Sequence, residues 1–204
     1  MNEQIQKRLV EAKESHIFPG AVVGWVKRDG TRGVVSCGRF TYDQDAVPIQ
    51  SDSIFDVASL TKAIPTGSLA LQLIEEGMLS LQDQVVKYIP EFNNSYCEQV
   101  LVKHLLTYSM LLDLKRPLSS YKDLLPEELL NVIMTTDLAY IPGTKFHYSN
   151  TPALLLGIIL ERITGKTLDV LADERFFLSL GMSRTTFHPN KFSKEEIVPT
   201  EIDD

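Results

Sequence analysis

The sequence predicts an α/β chain of the α+β kind: one N-terminal β-hairpin followed by a mainly helical lobe. Residues 1–42 carry the N-terminal helix and hairpin, and residues 43–204 carry the lobe, in one domain of 204 residues. Three observations lead there. The length is enough for folding to bury roughly 70% of the surface an unfolded chain exposes. Hydrophobic residues make up 44% and charged residues 23%, a globular balance that excludes intrinsic disorder. Strand formers gather near the N-terminus, and helical spacing of apolar residues dominates the rest.

Residues Gln4 to Lys13 read as a helix, with Ile5, Leu9 and Ala12 spaced by four and three. Phe18-Pro19-Gly20 breaks it. Ala21 to Val26 is rich in strand formers, and Asp29-Gly30 signals a tight turn before a second strand around Gly33 to Ser36. Asp43 to Asp52 is polar and reads as a loop. A long helix is expected from Ala58 or Ser59 to Glu76, with Leu69, Leu73 and Ile74 on its apolar face and Gly77 at its C-cap. Pro65 falls in its early turns, where a missing N–H costs least. Further helices are expected at Glu98 to Thr107, Pro126 to Thr135, Thr151 to Thr164 and Thr167 to Leu180, with Gly165 and Gly181 stopping the last two. A lone hairpin is marginal in water. Either the helices cover it, or the strands that complete its sheet are not in this chain.

Charge removes several function classes. Twenty Lys plus Arg against 27 Asp plus Glu leaves −7, which argues against a nucleic-acid partner or an anionic membrane surface. Cys37 and Cys97 form neither a disulfide framework nor a zinc-ligand spacing. His16, His104, His147 and His188 show no metal-ligand spacing either, so no metal site is supported. There is no Gly-rich phosphate loop and no G-x-S-x-G elbow. The longest apolar stretch, Ala153 to Leu160, falls far short of the ~20 residues of a membrane helix. Met1-Asn2-Glu3-Gln4 leads into no apolar core of a signal peptide. A cytoplasmic protein is the expectation, unless Met1 is an engineered start on an exported chain.

Two short patterns invite a nucleophilic reading. Ser59-Leu60-Thr61-Lys62 puts a hydroxyl and an amine three residues apart, on one helical face. A serine needs an adjacent base to become a nucleophile, and a lysine serves when burial or neighbouring charge leaves it neutral. Ser59 could equally cap the helix. The pattern occurs again at Ser119-Ser120-Tyr121-Lys122, in a polar segment with no long helix behind it. The second pattern is Tyr148-Ser149-Asn150, on a pre-helical loop after Ile141-Pro142-Gly143-Thr144. A phenol there can pass a proton and an amide can orient a neighbour. The alternative is that Asn150 caps the next helix while Tyr148 packs beneath it.

Together these segments resemble the beta-lactamase-related serine hydrolases, which join class C beta-lactamases, DD-peptidases and esterases. The stretch Phe55-Asp56-Val57-Ala58-Ser59-Leu60-Thr61-Lys62, continued through Glu76-Gly77-Met78-Leu79, resembles that family's nucleophile helix. Lys103-His104-Leu105-Leu106-Thr107, then Pro142-Gly143 through Tyr148-Ser149-Asn150, then Thr164-Gly165-Lys166 and Leu180-Gly181-Met182, match its later landmarks in order. The resemblance implies a beta-lactamase/transpeptidase-like fold, of which this chain holds mostly the helical lobe. It further implies Ser59 as acylated nucleophile, Lys62 as its base, Tyr148 as the phenol sharing proton transfer and Asn150 as the positioning amide. The reaction implied is acyl transfer to water through an acyl-enzyme, without cofactor.

Two departures stand out. After Leu106-Thr107 the family usually reads His-Thr-Ser-Gly-Leu, whereas this chain reads Tyr108-Ser109-Met110-Leu111-Leu112. A third family motif, Lys-Thr-Gly or His-x-Gly on a late strand that supplies an oxyanion-hole N–H, is not present. Val198-Pro199-Thr200-Glu201 resembles an internal point of such proteins, so the chain reads as truncated before further sheet strands. The expectation is a serine hydrolase acting on a small-molecule ester or amide, esterase-like before beta-lactamase or DD-peptidase. The alternative is a truncated, catalytically silent chain acting as a binding or structural module. A homodimer, or a second fragment, would complete the sheet.

Overall fold

The computed structural model describes residues 1–200. The chain divides into two compact units, Met1–Val57 with Arg184–Asp204, and Ala58–Ser183.

In the first unit, helix α1 (Asn2–Glu14) precedes an antiparallel hairpin of β1 (Gly20–Val26) and β2 (Arg32–Gly38). The register runs from Gly20 opposite Gly38 to Val26 opposite Arg32. Alternation sorts the side chains by face. Ala21, Val23, Val35 and Cys37 meet Leu9 and Ile5 of α1 in a small core. Trp25 joins them by donating its indole N–H to Asn2 Oδ1 at 2.8 Å. The other face leaves Val26 and Val34 exposed. Gly38, at φ +82, has no alternative: a β-carbon there would stand 2.2 Å from the Pro19 carbonyl. Beyond the hairpin, Ile54 bridges Ile197 in parallel, and Arg184 ties Asp52 to Glu196. Among the described residues the sheet has these two strands only.

The second unit is helical. It contains α2 (Ser68–Glu75), α3 (Val85–Tyr88), α4 (Val102–Leu106), α5 (Pro126–Thr135), α6 (Thr151–Thr164) and α7 (Leu168–Ala172). Its core is continuous, with Phe92, Ile89, Leu105, Met110, Ile133, Leu155, Ile159 and Leu160 fully buried. Helices α5 and α6 keep their expected bounds, and Gly165 ends α6 at φ +68. No helix among the described residues is long and apolar enough to cross a membrane.

Three expected helices depart from a single α-helix. That from Thr167 to Leu180 is α7 followed by a wide π-type stretch over Asp173–Phe177. The single helix from Ser59 to Glu76 is a helical turn at Leu60 and Thr61, a wide π-type stretch over Lys62–Gly67, and then α2. Ile64 leaves helical geometry at φ −126, ψ 112. Pro65 is the cause, because its ring pushes the preceding residue to extended backbone. The first part of this helix is exposed at Leu60 and Ile64. The expected helix from Glu98 to Thr107 is a 3₁₀ turn, Cys97–Gln99, followed by α4. Between them Val100 and Leu101 are extended, pairing with Val85 and Gln84.

Candidate active site

The site begins at a strained residue. Ala58 has φ +43, a left-handed value that a residue with a β-carbon seldom adopts. From there the chain turns tightly: Thr61 N–H donates to the Ala58 carbonyl and Lys62 N–H to the Ser59 carbonyl at 3.1 Å. This turn brings the two side chains together. Lys62 Nζ donates to Ser59 Oγ at 2.7 Å.

Tyr148 arrives from a loop braced on the turn after α4. Gly143 N–H donates to the Ser109 carbonyl, and His147 N–H donates to the Tyr108 carbonyl, both at 2.8 Å. Gly143 adopts φ +83, and a β-carbon on it would stand 3.0 Å from His104 Nε2. His104 is itself buried, its Nδ1 accepting the Leu101 N–H at 3.2 Å. Burial, followed by the neighbouring Lys103 charge, holds this imidazole below its usual pKa. Because Nδ1 accepts, the proton of the neutral ring belongs on Nε2.

The Tyr148 phenol meets both members of the first pair. Its hydrogen bonds with Ser59 and then with Lys62 hold its pKa below the ordinary phenol value. Lys62 Nζ lies 5.5 Å from the Tyr148 ring centroid. The Tyr148 ring stacks on Tyr108, centroids 5.3 Å apart at 28°. Tyr148 is 53% exposed and Ser59 is exposed, so the hydroxyl is open to solvent. Beside Lys62 lies an apolar hollow of about 370 Å³, walled by Ile64, Leu71, Leu105, Tyr108 and Ala153.

Asn150 stands at the N-cap of α6, and its side chain makes no capping hydrogen bond. Ser59 bonds Lys62, and Tyr148 stands exposed rather than packed beneath a helix. Leu118–Ser120 is one 3₁₀ turn, and Tyr121 leaves it at φ −86, ψ 36. The Ser119 side chain lies outside what is described, as does Glu201 of the tail motif. Among the described residues no three His, Cys, Asp or Glu side chains gather to hold a metal.

Over residues 5–198 the sequence matches the family model described as Beta-lactamase. The chain belongs to the beta-lactamase family. Members of that family are serine hydrolases, and the fold agrees. An Escherichia coli K12 protein provisionally named D-alanyl-D-alanine carboxypeptidase is 32% identical over 173 residues, 78% of this chain and 40% of its own length. A solved class C beta-lactamase superposes with TM-score 0.75 at 25% identity, over 89% of this chain and 49% of that one. The D-amino acid amidase from Ochrobactrum anthropi SV3 superposes at 0.78 with 23% identity, over 97% of this chain and 56% of its own. At that identity the amidase shows the fold alone. The chain thus spans about two fifths of the curated relative and about half of these solved structures.

Sequence reading of this beta-lactamase-family chain missed one member of the cluster. Tyr108 was legible only as a departure from the family's usual histidine. Nothing in its spacing signals a stack on a residue forty positions away.

Proposed function

We propose that this chain carries the acyl-transfer centre of a serine hydrolase, with Ser59 as nucleophile, Lys62 and Tyr148 as the proton-accepting pair and Asn150 as the orienting amide. The single observation behind this is the 2.7 Å bond from Lys62 Nζ to Ser59 Oγ, with the Tyr148 ring 5.5 Å from the same amine. The Ser59 proton passes to the pair as Oγ bonds to the acyl carbon and the carbonyl electrons move onto oxygen. Collapse of that intermediate breaks the bond to the leaving alkoxide, which takes the proton back. Water then attacks the ester on Ser59 and releases the acid.

An alkoxide departs with less assistance than an amine, so esters precede amides as substrates. Peptide mapping after fluorophosphonate treatment tests the assignment. The adduct should sit on Ser59, vanish in Ser59→Ala and persist in Ser119→Ala. An adduct on Ser119 would sink it.

The open hairpin favours a second reading, in which the chain needs a partner to turn over. Unpaired strand edges recruit other strands, and among the described residues β1 and β2 pair only with each other. The expected partner is a second copy that adds its strands to this sheet. Ester turnover per chain should then rise with protein concentration, and a rate that does not depend on concentration would remove this reading.

A further inference from the structure

Tyr108 occupies a position that its side chain makes difficult. It is the first residue past the cap of α4, where Ser109 N–H closes back onto the His104 carbonyl at 2.9 Å. That closure needs a left-handed residue, and Tyr108 supplies it at φ +52. Helices usually meet this need with glycine, which has no β-carbon to crowd the backbone. Strain retained by a bulky residue points to what the side chain does. Here the ring stacks on Tyr148 at 5.3 Å, and the Tyr108 carbonyl takes the His147 N–H at 2.8 Å. One residue thus grips the Tyr148 segment twice, by ring and by backbone.

We propose that Tyr108 is a positioning residue for Tyr148, fixing its phenol within hydrogen-bonding reach of Ser59 and Lys62. The inference rests on the acyl-transfer reading of that site. More than half of Tyr148 is exposed, so without the stack its side chain could sample other rotamers. Offset stacking favours one of them. Proton-transfer geometry tolerates little displacement, and a misplacement of about 1 Å can cost on the order of 100-fold in rate. Tyr108 is a support rather than an acceptor. Burial, then the nearby Tyr148, push its phenol up, while Ser59 and Lys62 pull the Tyr148 phenol down. Of the stacked pair, Tyr148 ionises first.

Two variants of the full chain separate ring from backbone. Tyr108→Gly removes the ring and suits the left-handed backbone; Tyr108→Phe keeps the ring. Two readouts are needed: the fluorophosphonate labelling rate against pH, and the Tyr148 titration by tyrosine-ring NMR, assigned with Tyr148→Phe. Tyr108→Gly should slow labelling roughly 10- to 100-fold and move the Tyr148 titration upward, with an unchanged circular dichroism spectrum. Tyr108→Phe should hold both readouts, the rate within about threefold. An unmoved Tyr148 titration in Tyr108→Gly overturns the proposal, whatever the rates do. If the titration moves but labelling survives Ser59→Ala, the nucleophile assignment falls and the positioning of Tyr148 stands.

Discussion

Lys62 Nζ reaches Ser59 Oγ at 2.7 Å across a single turn, and the helix breaks immediately afterwards at Ile64. The pair therefore rides on a short, exposed turn held between a left-handed Ala58 and the Pro65 kink. Spacing of three residues makes the contact possible, and the backbone on either side fixes its place.

Lys62→Ala should remove the partner of the Ser59 hydroxyl without emptying a core. Loss of a positioned base typically costs 10²- to 10⁴-fold. Fluorophosphonate labelling of Ser59 should slow by about that factor. Lys62→Arg should not restore it, because a guanidinium stays protonated. A labelling rate within threefold of the parent in Lys62→Ala, near the scatter of such effects, would remove the lysine from the account.

The Tyr148 phenol gives the pH dependence. Its pKa lies below the ordinary phenol value, first through Ser59 and then through Lys62. Ionisation therefore begins at lower pH than for a free tyrosine. Labelling should rise with pH and level off below about pH 10, the unperturbed phenol value. The limb is assigned to the Tyr148 phenol. Tyr148→Phe should abolish or displace it, as a pH series on the two proteins would show.

Much of this was legible in the sequence, and the failures have physical causes. Helix α6 was readable because a long apolar pattern runs from a pre-helical Asn150 to a stop at Gly165. The hairpin was readable because Asp29-Gly30 separates two runs of strand formers, and Gly30 takes φ +83 there. The kink at Ile64 was not, because Pro65 was weighed for its missing N–H and not for its pressure on the residue before it. The break before α4 was hidden too. Val100 is fixed by pairing with Val85, a contact that helical propensity does not register. At the site, the Ser59–Lys62 contact follows from local spacing, whereas the approach of Tyr148 depends on backbone bonds to Tyr108 and Ser109.

His104 links the loop to acid stability. Its buried ring is held below the usual pKa of about 6.5 for histidine, first by burial and then by Lys103. The unfolded chain takes up a proton more readily than the folded one. Stability is then full above about pH 6.5 and declines as pH falls through that value toward the lower folded pKa. His104→Gln should flatten the dependence, and thermal melts between pH 5 and 8 would reveal it. An equally steep loss in the variant would assign the acid sensitivity elsewhere.

Gly143→Ala tests the same brace from the other side. The new β-carbon would meet His104 Nε2 at 3.0 Å in a backbone of φ +83. Destabilisation of roughly 1–3 kcal/mol is expected from overpacking plus backbone strain. Labelling of Ser59 should slow as the Tyr148 loop shifts. A denaturant midpoint unchanged from the parent would contradict this role for Gly143.

The most direct measurement is mass spectrometry of the chain quenched during exposure to an activated p-nitrophenyl ester. Trypsin releases Ser59 in the peptide Phe40–Lys62, apart from Ser119. The account predicts one acyl group on that peptide at Ser59, absent in Ser59→Ala and reduced in Lys62→Ala, where the same serine is released in the longer peptide Phe40–Lys87. An acyl group elsewhere, or one that survives Ser59→Ala, would contradict it.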